Sequence, residues 1–301
     1  MSASVVEVDG VSRRFGKQLA LDDVRYRASE GRIYGMVGAN GAGKTTLIRH
    51  LLGLLRARSG TVRVFGLDPV RHPVEVLRRV GYLSEERELP EWMRIEELMR
   101  YTQAYYPKWD MAYARELLAT FELDAGKKIK ELSKGMRAQA ALVAAVAHRP
   151  DLLILDEPST GLDAVVRQDI LDAIVRTVAD DGRTVIFSSH LLDDVERMSD
   201  HVTMMHQGRV VLDGTLESVR GAHQRATLRF PERLARPPLL DGALSVEGDG
   251  RSWNVIHEES PEAFRAAVAL HQGEVVQSRE ATLEEIFMAR VGRVRQSAEA
   301  A

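Results

Sequence analysis

The chain has 301 residues, 45% of them apolar and 28% charged, and 41 basic against 44 acidic residues give a formal net charge of −3. That composition suits a globular chain of about two domains. It excludes a disordered polyelectrolyte and the marked basic excess of most nucleic-acid binders. Cysteine is absent, which excludes disulfides, Cys-ligated metal centres and thiol nucleophiles.

Apolar and polar residues alternate over Ser4–Val11 and Leu19–Ala28, on either side of Phe15-Gly16-Lys17, so two antiparallel strands with one exposed face are expected. A short buried strand over 31–37 runs into a glycine cluster at 38–43 and a helix over 45–54, which is the start of an α/β unit. A strand over 61–65 follows. Residues 86–149 read as mostly helical. Ile95, Leu98, Met99, Thr102 and Tyr106 share one helical face, with Pro107 as the stop. Asp110 can cap a second helix whose apolar face is Ala114, Leu117, Leu118 and Phe121. A third helix is expected over 136–148.

The all-apolar run Leu152–Leu155 suits a central parallel strand buried on both faces. A helix over 164–178, a strand over 184–187, a helix over 191–198 and two short strands over 202–205 and 209–212 complete a parallel sheet covered by helices. After Gly214 the texture changes. Pro231, Pro237 and Pro238 interrupt short strands over 226–230, 252–256 and 274–277, with one helix over 261–270, and a small separate α+β module is expected. No run approaches the ~20 apolar residues of a membrane span. The N-terminus lacks a basic start followed by an apolar run, so a cytosolic chain is expected.

Gly38-Ala39-Asn40-Gly41-Ala42-Gly43-Lys44-Thr45 matches the phosphate-loop pattern G-x-x-x-x-G-K-S/T. Glycines let backbone N–H groups converge on phosphate oxygens, and the helix that follows points its positive end at the same place. Lys44 supplies a charge for the terminal phosphates, and the Thr45 hydroxyl is a candidate Mg²⁺ ligand. Asp156 and Glu157 close the apolar strand, where a carboxylate can hold Mg²⁺ and its neighbour can polarise an attacking water. Leu132-Ser133-Lys134-Gly135-Met136 opens a helix. Its free N–H groups suit an anion, although a plain Ser N-cap explains the same residues.

The ordered set resembles the nucleotide-binding subunit of an ATP-binding cassette transporter, of the exporter-like kind whose membrane subunits are separate chains. It comprises Walker A over 38–46, a glutamine-loop region GYLSEE over 81–86, a signature LSKGM over 132–136 and Walker B over 152–157. A D-loop STGLD over 159–163 and a switch histidine, His190, in SSH over 188–190 follow. The resemblance covers about 4–215, with a weaker echo of exporter-type tails over 281–290. It implies an α/β fold with a P-loop NTPase core, an antiparallel β subdomain and a helical subdomain. The expected domains are 1–215, with the helical subdomain at about 86–149, and an accessory module over 216–301.

Residue by residue, the resemblance implies that Phe15 stacks on adenine and that Gly38–Gly43 with Lys44, Thr45 and Thr46 hold phosphates and Mg²⁺. It implies that Asp156 supports the metal, Glu157 is the catalytic base and His190 contacts the γ-phosphate. Ser133 and Gly135 would contact ATP held by a second cassette, in a homodimer or heterodimer. Three positions in two motifs depart from the family pattern. Glu85 stands where a glutamine is usual, adding negative charge on the metal side, and Lys134 and Met136 alter the commonest signature.

The implied activity is ATP hydrolysis with Mg²⁺, coupled through ATP-driven dimerisation to a membrane-spanning permease. The subunit would lie peripherally on the cytosolic face, with no nucleic-acid partner. The rival readings are a soluble cassette ATPase acting on nucleic acid or the ribosome, and a phosphoryl-transferring kinase. The first would carry a long coiled coil or a second cassette, and the second would not need the signature, D-loop and switch histidine together. Six aromatic residues, Trp92, Tyr101, Tyr105, Tyr106, Trp109 and Tyr113, crowd one stretch. Those bracketing Pro107 suit a surface that docks the membrane partner.

Overall fold

Alternation near the N-terminus builds a long hairpin in the computed structural model, which describes residues 4–299. β1 (Ser4–Phe15) and β2 (Gln18–Ser29) pair antiparallel and turn tightly at Gly16-Lys17, with Phe15 opposite Gln18. β4 (Ser59–Val64) joins the other edge of β1, giving the order β2-β1-β4. Val6, Val8, Val11, Leu21, Val24, Tyr26 and Val64 bury the inner face, and Phe15 at the hairpin tip is 44% exposed.

The central sheet has the order β5-β6-β7-β3-β8-β9. Its strands are β3 (Ile33–Val37), β5 (Val80–Leu83), β6 (Leu152–Asp156), β7 (Thr184–Ser189), β8 (His201–His206) and β9 (Arg209–Thr215). Neighbours from β5 through β8 are parallel. Every residue of β3 and β6 is buried, as strands covered on both faces must be. The helices of this part are α1 (Lys44–Leu51), α2 (Pro73–Leu77), α3 (Ile95–Gln103), α4 (Met111–Thr120), α5 (Lys134–Val146), α6 (Ala164–Asp181) and α7 (Leu192–Met198).

Several boundaries differ from expectation, each for a local reason. α1 stops at Leu51 because Gly53 turns into left-handed backbone (φ 72°), where a Cβ would lie 2.3 Å from the Pro69 carbonyl oxygen. α3 ends at Gln103, before Pro107, and Tyr106 leaves the helical face to stack on His148 with ring centroids 3.8 Å apart. Asp110 does cap α4, accepting the Tyr113 N–H at 2.9 Å. α5 starts two residues earlier than expected, directly after its N-cap Ser133. β5 and α2 are too short to announce themselves by periodicity. β5 is pressed so closely on α5 that a Cβ at Gly81 would meet the Ala145 carbonyl oxygen at 2.2 Å.

The chain divides between Val210 and Val211 into two compact units. In the second lie α8 (Leu216–Ala222), β10 (Gln224–Leu234), β11 (Ala243–His257), α9 (Pro261–Leu270), β12 (Glu274–Glu280) and α10 (Leu283–Glu299). Its antiparallel sheet, ordered β11-β10-β12, buries Leu228, Phe230, Trp253 and Val255 with Phe264 and Val268 of α9. This is the expected α+β module, with longer strands than the prolines suggested.

His148 closes the helical region of the first unit. It is 2% exposed, its Nε2 lies 3.2 Å from the Val80 carbonyl oxygen, and burial pushes its pKa down to about 4. The unfolded imidazole titrates near ~6.5, so it takes up a proton before the folded one does. Stability is therefore full above that value and falls as pH drops toward the folded pKa. At pH 5 the loss expected from this residue is ~2 kcal/mol. His148→Gln keeps a donor for Val80 and should flatten the pH 7 to pH 5 difference in urea denaturation by that amount.

Candidate nucleotide and catalytic site

The phosphate loop joins β3 to α1, and its glycines serve three different needs. Gly38 is pressed against β8, where a Cβ would lie 2.4 Å from the Met205 carbonyl oxygen. Gly43 (φ 110°) has the Ala20 carbonyl oxygen at 2.6 Å from the same virtual atom and caps α1 with no side-chain bond, leaving the first helical N–H groups free. Gly41 has open space around it but a φ of 79°. The loop walls a cavity of 270 Å³ that is also lined by Phe15, Lys44, Thr45, Thr46, Glu85 and Glu157.

Lys44 is 6% exposed, and its ammonium donates to the Gly38 carbonyl oxygen at 2.5 Å and the Ala39 carbonyl oxygen at 3.4 Å. It also lies 3.2 Å from Glu157 Oε1. That contact is an ion pair without hydrogen-bond geometry, so Oε1 is a buried acceptor with no hydrogen bond. Oε2 accepts from the Thr160 hydroxyl at 2.8 Å and from His190 Nδ1 at 2.7 Å. Burial pushes the Glu157 carboxyl up, but the Thr160 and His190 hydrogen bonds and the Lys44 charge outweigh it and hold the pKa below the usual carboxylate range. Glu157 itself has left-handed backbone, φ 51°.

Asp156 at the end of β6 is 1% exposed and accepts the Ser188 hydroxyl on Oδ1 at 2.6 Å. Thus Lys44, Glu157, Asp156 and His190 come from the ends of three adjacent parallel strands, where α/β proteins place their sites. Ser133 and Gly135 are not among the residues lining the cavity. Ser133 is exposed at the start of α5 and accepts the Met136 N–H at 3.2 Å, and Gly135 is buried against Val166.

Residues 21–160 match the family described as ABC transporter. Over 294 residues the chain is 30% identical to the ABC transporter ATP-binding protein YtrB of Bacillus subtilis (strain 168), covering 96% of this chain and 98% of that protein. It is 33% identical over 319 residues to the daunorubicin resistance ATP-binding protein DrrA3 of Streptomyces coeruleorubidus, covering 100% of both. A solved structure of the ATP binding subunit of an ABC transporter superposes with a TM-score of 0.67 at 32% identity, over 72% of this chain and 92% of that one. The chain belongs to the ABC transporter family of ATP-binding subunits. It is an ATPase with the P-loop cassette fold. Another cassette of that fold, MJ0796, has been solved as a dimer bound to ADP and Pi, superposing with a TM-score of 0.63 at 21% identity over 70% of this chain and 98% of that one. The alternative of acting on nucleic acid or the ribosome finds no support in these relatives. Among the described residues no helix is long and apolar enough to cross a membrane.

The cassette also contains polar residues that the motifs alone did not single out. Ser188 takes the Glu157 N–H at 2.9 Å while donating to Asp156, so one hydroxyl ties the Asp156 carboxylate and the Glu157 backbone to β7. Thr160 holds Oε2, and Ser159 donates to the buried Asp194 at 2.6 Å. The D-loop and switch strings contain these residues, but serine and threonine are too common for string matching to rank them. Ser188→Ala would leave a buried N–H and a buried carboxylate oxygen unpaired. A loss of ~1–3 kcal/mol in urea denaturation is expected, together with reduced ATPase turnover.

Proposed function

We propose that this subunit powers a membrane transporter by closing with a second cassette over two ATP molecules. Each ATP lies on the phosphate loop of one chain and under Ser133 and Gly135 of the other. The observation that carries this reading is the buried Glu157 carboxylate, ionised beside the phosphate loop and tied to His190. The placement of Ser133 at an exposed helix start, apart from the cavity, supports its use by a partner's nucleotide.

In this reading Phe15, exposed at the hairpin tip and facing the cavity, offers its ring to adenine. The 38–46 backbone, Lys44 and Thr46 hold the phosphates. Glu157 accepts the proton of the attacking water, and His190 holds Glu157 in place while its other ring nitrogen contacts the γ-phosphate. Among the described residues no three His, Asp or Glu side chains are grouped to hold a metal. A hydrated Mg²⁺ that takes most of its ligands from phosphate and water fits that sparse donor set. Thr45 and the buried Asp156 would hold it, with Glu85 facing the same cavity. The ion would neutralise phosphate charge.

We place the membrane partner on the groove of 470 Å³ between the 84–90 segment, α3 and α5, lined by Leu89, Leu98, Tyr101, Tyr106, Ala141 and Ala145. Its occupant is an apolar cytosolic helix of the permease, so the subunit lies peripherally on the cytosolic face. Of the aromatics bracketing Pro107 that were expected to dock, Tyr106 lines the groove, half-buried against His148, while Trp109 and the exposed Tyr105 are outside the lining. The exposed aromatic at the groove is instead Tyr101, 50% exposed.

Two experiments test these assignments. Glu157→Gln should bind ATP, accumulate an ATP-bound dimer on size-exclusion chromatography, and hydrolyse at least ~10²-fold more slowly. Normal turnover by this variant would refute the base assignment. Tyr101→Ala, at an exposed position, should change the stability of the isolated subunit by less than ~0.5 kcal/mol yet reduce copurification with the permease. Unchanged copurification would move the docking site elsewhere.

A further inference from the structure

Arg87 is a buried cation that the cassette motifs leave without a role. It is 7% exposed and ends a tight turn, its N–H donating to the carbonyl and hydroxyl oxygens of Ser84, both at 3.2 Å. Its backbone is left-handed, φ 49°, uncommon for a long side chain. One guanidinium NH2 group donates to three carbonyl oxygens of a single turn: Glu157 at 3.2 Å, Pro158 at 2.8 Å and Thr160 at 3.1 Å. That turn carries the Glu157 carboxylate and the Thr160 hydroxyl bonded to it, and Glu157 is itself held at a φ of 51°. A non-glycine residue stays in that conformation only where its surroundings impose it. Arg87 also lines the groove described above, beside Ser84, Glu88 and Leu89. One side chain therefore has its base in the docking groove and its head on the catalytic turn.

We infer that Arg87 is a positioning residue that fixes the 157–160 turn, and with it the Glu157 carboxylate, at a place set by the floor of the groove. The inference rests on Glu157 acting as the base. Three carbonyls that converge on one NH2 group, sharing its two hydrogens, need a charged donor at that distance from the backbone; an apolar residue supplies no donor, and a lysine's ammonium ends one bond short of that nitrogen. A helix seated in the groove that displaces residues 84–90 moves the anchor of all three bonds. By reciprocity, nucleotide engaged at Glu157 biases the groove.

The test uses the full-length chain. Arg87→Lys and Arg87→Met are assayed for kcat and KM, with ATP binding followed by a fluorescent ATP analogue. A small misplacement of a catalytic group costs on the order of 10- to 100-fold in rate. Both variants should therefore lose at least ~10-fold in kcat while KM and analogue affinity stay within about threefold. Arg87→Lys decides the matter if Arg87→Met does not fold. Since the chain has no cysteine, Glu88→Cys can carry a single environment-sensitive dye in the groove. ATP should shift its emission when Arg87 is present, and the shift should be lost in Arg87→Lys with binding retained.

Wild-type kcat in the folded variants overturns the inference, and so does a raised KM with kcat intact. Joint loss of binding and turnover would assign Arg87 to the fold alone, and an emission shift that persists without Arg87 would break its link to the groove. Turnover by Glu157→Gln is a separate measurement, so failure of the base assignment is distinguishable from failure of this one.

Discussion

Keeping the carboxylate of Glu157 ionised while it is buried is the constraint around which the nucleotide site is arranged. A lone carboxylate taken out of water protonates rather than remain charged. Here Thr160 and His190 bond Oε2 and the Lys44 ammonium faces Oε1, and together they overcome the burial penalty. Each partner belongs to a different element. Lys44 opens α1, Thr160 sits in the turn after β6, and His190 follows β7. The carboxylate thus registers three loops against one another. Ser188 extends the arrangement by pinning Asp156 and the Glu157 N–H to β7.

Loops alone could not hold such a network, because each would be free to relax around an unmet charge. The rigidity comes from the strands beneath, whose parallel pairing runs unbroken from Ile33 opposite Val185 to Val37 opposite Ser189, and from Leu152 opposite Thr184 to Asp156 opposite Ser188. The last pair of that ladder places Asp156 beside the serine that bonds it. Register and chemistry are here the same fact, since a slip of one residue would turn either side chain to the opposite face of the sheet.

What was legible in the sequence follows from how far each signal reaches along the chain. The buried strand Leu152–Leu155 and the phosphate loop are local patterns, and both stand where the residues placed them. The Asp110 cap was legible for the same reason. β5 was not, because Val80–Leu83 is too short to show a period and owes its place to parallel pairing with Leu152–Leu155. Tyr106 fitted a helical stripe by spacing, but its stacking on His148, far along the chain, decided its position. In the second unit Pro231 suggested the end of a strand. It instead falls in the break in pairing between Arg229 and Leu234, where a missing N–H costs no ladder bond, and β10 continues past it. Arg87 was the least visible, since its acceptors are backbone carbonyls 70 or more positions away and carry no side-chain code.

The same logic bears on how ATP enters the site. Lys44 holds the Gly38 and Ala39 carbonyl oxygens and neighbours Glu157, so its charge is already compensated within the protein. Binding a triphosphate therefore exchanges partners on a buried cation and does not neutralise a bare one, and the Coulomb gain is offset by the contacts given up. The exchange is not symmetrical for Glu157. On the reading proposed for this site, a Lys44 that turned toward phosphate would take the ion-pair partner from Oε1, which has no hydrogen bond of its own among the described residues, and leave it open to a proton donor. Water is the donor that hydrolysis brings to the site. On the reading proposed for Glu157, the ion pair between Lys44 and Glu157 would link the two halves of the reaction, since occupying the phosphate cradle would free the carboxylate oxygen for the attacking water.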